Sequence, residues 1–199
     1  MLLRTDRLIA FSDLIMVVAI VLLVSNLATL AATKPEAFQG QTFFSTLATY
    51  VASFIVISFY WAVFTTLLGL VKDLDDIVFY LSLIFLLLVT LIPVGNVAGQ
   101  QLKSGRSLLF ISLIEISTGL LLLLIFFYVT KGKIPQSNVA KRTMIELCVF
   151  PSVYAVTLFV SFLNFTIAQL LTFSVIPVFV IVRIKVRRIY PTDDINPQI

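Results

Sequence analysis

The sequence has 199 residues, no histidine and a single cysteine, Cys148. That excludes histidine acid–base catalysis, histidine or multi-cysteine metal centres and any intrachain disulfide. Charge is also scarce, at 12% of residues, against about 25% in ordinary soluble domains. A water-soluble domain is therefore excluded. No phosphate loop, dinucleotide fingerprint or nucleophile motif occurs, so neither an enzyme nor a bound cofactor is expected.

What the chain has is hydrophobic length: 60% of its residues are apolar and its mean hydropathy is +1.09. Since a helical span takes about 20 apolar residues, the uncharged runs predict six of them, over 8–32, 43–70, 77–99, 107–130, 144–162 and 165–182. The last two come from one apolar stretch too long for a single helix, broken at Ser161 to Asn164. The expected architecture is an all-α, six-helix membrane domain over 1–189, followed by a disordered cytoplasmic tail over 190–199 with two prolines and Asp193-Asp194. No separate soluble domain fits.

The basic residues fall unevenly between alternate loops. Arg4, Arg7, Lys72, Lys131, Lys133, Lys141, Arg142, Arg183, Lys185, Arg187 and Arg188 lie on one side, and Lys34, Lys103 and Arg106 on the other. The positive-inside rule then places both termini in the cytoplasm of a multi-pass cell-membrane protein, as an even span count requires. Arg183 to Arg188 read as a stop-transfer and headgroup anchor. The basic pI of 9.3 belongs to these edges and does not point to nucleic acid. A secretory signal reading of Arg4 to Ala32 is the competitor. Against it, the apolar run is long and contains Asp13, and cleavage would leave termini on opposite sides.

Ionisable groups inside spans are costly and so mark functional candidates. Asp13 has Arg7 and the loop residues Lys72, Asp73, Asp75 and Asp76 as candidate partners. Glu115 has no basic partner in any span and is either protonated or hydrogen-bonded, whereas Glu146 reads as an interfacial group. In the first span, Met16, Ile20, Leu23, Leu27 and Leu30 form an apolar stripe at helical spacing. Val18, Leu22, Ser25 and Thr29 form a second stripe that turns from aliphatic to hydroxylated. Such a stripe suits a water-filled route with an aliphatic neck, because constrictions of this kind gate by dewetting. The competing reading is that Ser25, Asn26 and Thr29 simply bond to backbone carbonyls or neighbouring helices. Gly95 and Gly99 are spaced for a close helix contact, and Cys148 reads as a small apolar filler.

Arg7, Phe11, Ser12 and Asp13 form an R-x-x-x-F-S-D pattern at the start of the first span. Tyr60-Trp61 lies in the second span and Leu86 to Pro93 in the third. In these features the first half of the chain resembles the transmembrane protein 175 family of potassium channels. The resemblance implies a homotetramer of single-repeat chains in the bilayer, with the first helices lining the pore and no glycine-rich filter. It implies that Arg7, Phe11, Ser12 and Asp13, with Trp61, form a structural and gating network at the inner end of the pore helix. It also implies constricting positions at Val18, Val21 or Leu22, and Ser25, close to the stripe drawn from periodicity.

Leu14 stands where most relatives have glycine, Val21 where a hydroxyl is common, and Phe64 and Thr65 where histidines are often found. The implied activity is therefore potassium permeation with modest preference over sodium, with Ser25, Thr29 and backbone carbonyls favouring cations, and Asp13 and Asp73 to Asp76 drawing them in. Two other readings are a proton-coupled secondary transporter using Glu115 and a non-conducting scaffold.

Overall fold

The structure is a computed structural model that describes residues 5–35, 40–69, 71, 75–102, 105–131 and 137–191. Arg4, Lys72, Asp73, Lys103, Lys133 and residues 192–199 of the expected tail lie outside the described residues. Six helices follow in order: α1 (Thr5–Thr33), α2 (Gly40–Leu68), α3 (Asp76–Leu102), α4 (Gly105–Val129), α5 (Asn138–Ser161) and α6 (Phe165–Ile189). All six are long and apolar enough to cross a membrane, and no strand occurs among the described residues. At 24 to 29 residues each, they extend about 36 to 44 Å, more than the roughly 30 Å hydrocarbon layer. Helices suit that medium because every backbone group is paired within the segment.

The expected break at Ser161 to Asn164 is present. Asn164 takes an extended conformation and its side chain accepts from the Ile167 N–H at 3.1 Å, capping α6. Other ends differ from expectation. α5 starts six residues early, at Asn138 rather than 144, because Ser137 caps it by accepting from the Ala140 N–H. α6 continues past 182 to Ile189, so Arg183, Lys185, Arg187 and Arg188 are helical rather than loop residues. Helical hydrogen bonding does not stop where the apolar run stops, and cations are favourable at a helix C-terminus.

Successive helices pack as neighbours from α3 through α6, while α1 rests on α2 and α3. α2 is the pivot, touching α1, α3, α5 and α6. Its Ile57, Tyr60, Phe64 and Leu67 have no exposed surface. Tyr60 stacks on Phe150 at 4.6 Å, Phe59 on Phe179 at 4.3 Å, and Phe64 lies 4.6 Å from Phe85. Small residues set the closest approaches, as membrane packing requires. A Cβ at Gly95 would sit 3.3 Å from Ile111 Cγ1, and one at Gly119 would sit 2.6 Å from Pro151 Cδ. α4 therefore rides directly against both α3 and α5. Cys148 is exposed rather than a core filler, because its face of α5 turns away from the bundle.

Candidate functional site on the first helix

α1 buries Leu8, Ser12, Met16, Ala19 and Leu23. These fall at successive spacings of three and four, a single helical face. Ile20, Leu27 and Leu30 flank that face half-buried. Thus the wholly apolar stripe of the sequence largely turns toward α2 and α3. The other stripe turns away: Val18 is 47% exposed, Val21 55% and Leu22 38%. Ser25, Ala28 and Thr29 continue it, also exposed. None of the described residues buries this side.

Toward the far end of the stripe the hydroxyls are used differently. Thr29 Oγ1 donates to the Ser25 carbonyl at 2.9 Å and Thr33 Oγ1 to the Thr29 carbonyl at 2.8 Å. Ser25 Oγ has no partner among the described residues, which leaves its donor and lone pairs free. Asn26 points elsewhere, its Nδ2 donating to the Pro93 carbonyl of α3 at 3.4 Å. For Thr29 and Asn26 the carbonyl-bonding alternative raised by the sequence therefore describes what is seen.

At the N-terminal end of α1, Trp61 Nε1 on α2 donates to Asp13 Oδ1 at 2.7 Å. The structure thus brings together Asp13 and Trp61. It does not bring Arg7 to Asp13: six residues apart on one helix puts them on different faces, about 9 Å apart along the axis. Ser12 is buried and its Oγ donates to the Ile9 carbonyl at 2.7 Å rather than supporting an ion pair. Phe11 is 42% exposed, on the uncovered side.

Two acids expected at the inner mouth or membrane edge have structural duties. Asp75 Oδ1 accepts from the Val78 N–H at 2.8 Å and Oδ2 from the Tyr128 hydroxyl at 2.7 Å. It caps α3 and ties it to the end of α4. Those two hydrogen bonds hold its carboxyl below the usual aspartate range. Glu146 is buried on α5, with Arg183 of α6 at 3.7 Å from Oε1, an ion pair between helices at the basic edge. Arg142 Nη2 adds a donation to the Arg187 carbonyl at 3.4 Å. The family resemblance groups Trp61 with Asp13 in one network, and the direct bond between them adds what neither helix alone fixes, their relative height.

Residues 7–93 match the family model described as endosomal/lysosomal potassium channel TMEM175. No curated protein matches the chain. Among solved structures, the crystal structure of a lysosomal potassium-selective channel TMEM175 homolog from Chamaesiphon minutus has the same fold, with a TM-score of 0.74 and 18% identity. The likeness covers 92% of this chain and 97% of that one. The chain is thus a six-helix protein that resembles the TMEM175 family in sequence from α1 into α3 and has the fold of a TMEM175 homolog over nearly its whole length.

Proposed function

We propose that the protein is a potassium-permeable cation channel of the TMEM175 type. Four chains assemble in the cell membrane, both termini cytoplasmic, with α1 of each lining a central pore. The observation that carries this reading is the stripe of Val18, Val21 and Leu22, which its own subunit leaves uncovered and which leads into exposed Ser25 and Thr29. Similarity to potassium channels in sequence and fold supports it.

The chemistry follows from the side chains. A ring of valine and leucine offers an ion no hydrogen bonds, so a narrow aliphatic neck empties of water and closes without any moving plug. Wetting or widening opens it. Beyond the neck, Ser25 Oγ is free to replace part of a cation's water shell, and Thr29, its proton given to the Ser25 carbonyl, presents lone pairs. In this reading potassium passes with modest preference over sodium. Asp13 and the exposed Asp76 give the inner mouth a negative potential that concentrates cations. The permeant ions are transported, not retained as cofactors.

Flux from liposomes under separate potassium, sodium and chloride gradients tests the reading. Potassium-driven flux exceeding sodium flux, with no chloride component, is expected. Chloride flux, or sealed vesicles at every gradient, contradicts it.

A further inference from the structure

Glu115 and the space beside it take no part in that pore. Glu115 sits on α4 at 2% exposure, and its Oε2 has no hydrogen-bond partner among the described residues. A cavity of about 50 Å³ adjoins it, lined by Thr49 and Ser53 of α2, Tyr154 of α5 and Thr172 of α6 among apolar neighbours. No lysine or arginine lines that cavity. A buried carboxyl with one oxygen unpartnered is either protonated or matched by a compensating positive charge.

The hydroxyls indicate which kind. Ser53 Oγ donates to the Thr49 carbonyl at 2.7 Å and Thr172 Oγ1 to the Ala168 carbonyl at 3.2 Å. The Tyr154 hydroxyl hydrogen-bonds to the Glu115 side chain. Tyr60 Oη, on the same side of α4, donates to the Glu115 main-chain carbonyl at 3.2 Å. With their protons committed, Thr172 and Tyr154, which line the cavity, have oxygen lone pairs left to offer. An oxygen-only, acceptor-rich site around one carboxylate suits a hard cation. The space exceeds the roughly 10 to 15 Å³ that one water needs, enough for a small ion with part of its hydration.

We propose that each subunit holds a monovalent metal cation, sodium or potassium, between α2, α4, α5 and α6 at Glu115, away from the α1 stripe. The ion neutralises the carboxylate and cross-links four helices, so it stabilises the subunit rather than carrying current. This site does not depend on the pore reading: it can fail while flux persists, and stand where flux is absent.

The test uses the purified full-length protein in detergent with potassium chloride, sodium chloride or N-methyl-D-glucamine chloride at equal ionic strength. The thermal midpoint is expected to rise and saturate with one or both metal ions, the better ion being the natural occupant. Glu115→Gln should abolish the rise, and Thr172→Val should weaken the apparent affinity about tenfold, as the loss of one ligand would. Infrared difference spectra of the unaltered protein provide a readout independent of any variant's folding. Carboxylate bands that appear with the metal ion, at the expense of a protonated carboxyl band, support the site. A carboxyl protonated in every medium, or a midpoint rise undiminished in Glu115→Gln, overturns it.

Discussion

α1 and α2 are each 29 residues long and lie side by side, yet they bury different shares of their apolar side chains. In its most apolar stretch α2 is 44% buried within the bundle and α1 28%. α2 carries the aromatic residues that stack against α3, α5 and α6. Beside its buried face, α1 leaves Val17, Val18, Val21 and Leu22 exposed among the described residues. Composition does not separate the two, since a bilayer demands apolar side chains of both. The difference lies in packing: α2 buries much of its surface in the helix bundle, whereas α1 leaves those four residues exposed.

The most damaging way to break this contrast is to hollow out the α2 side. Phe64→Ala removes a fully buried ring packed on Phe85 and should cost about 3 to 5 kcal/mol. The check is a lowered thermal midpoint in detergent, without raised basal flux in whatever fraction stays folded. A gain of flux would mean that α2 also faces the conduction route.

Substitution on the α1 stripe should do the reverse. Val18→Asn or Leu22→Ser lies on an exposed face and should change subunit stability by no more than about 0.5 kcal/mol, while wetting the neck and raising basal conductance several-fold. Leu27→Ser, toward the other stripe, should disturb packing without that gain. Single-channel recording separates them, and the opposite pattern would exchange the roles of the stripes.

A smaller effect is expected where the two helices meet. Trp61→Phe removes the donor to Asp13, a loss of about 0.5 to 1.5 kcal/mol at an exposed site. Asp13→Asn should cost a similar amount, and the double variant less than the sum of the two. Strict additivity in chemical denaturation would show that the bond contributes nothing.

The smallest effect is pH-dependent. The folded protein holds Asp75 below the ordinary aspartate range. Its stabilisation is therefore complete above the unfolded value of about 3.9 and fades as the pH falls through the lower folded value. Thermal midpoints between about pH 5 and pH 2 should fall more for the unaltered protein than for Asp75→Ala; parallel curves would discount the cap.

Much of the fold was legible because a bilayer asks a simple question of the sequence. Six apolar runs and a polar break at Ser161 to Asn164 are enough to place six helices. Helix ends were less so: the span rule counts hydrocarbon depth, whereas the start of α5 is fixed by Ser137 and the end of α6 lies among its basic residues. Periodicity along α1 separated two stripes because the helical repeat is local. Pairings between helices were less legible: the resemblance groups Asp13 with Trp61, but their direct bond, and the contact of Gly119 with Pro151, depend on helix heights that no single segment encodes. Arg7 looked like the partner of Asp13 because opposite charges close in sequence suggest a pair, but helical geometry keeps them apart.

The most direct test introduces single cysteines along α1 after Cys148→Ala removes the exposed native thiol, and follows potassium flux through liposomes as silver ions are added. Cysteine at 18, 22 or 25 should make flux fall on modification, whereas cysteine at 16, 19 or 23 should leave it unchanged. Block confined to the second set, or equal insensitivity of both, would contradict a pore lined by the outward stripe of α1.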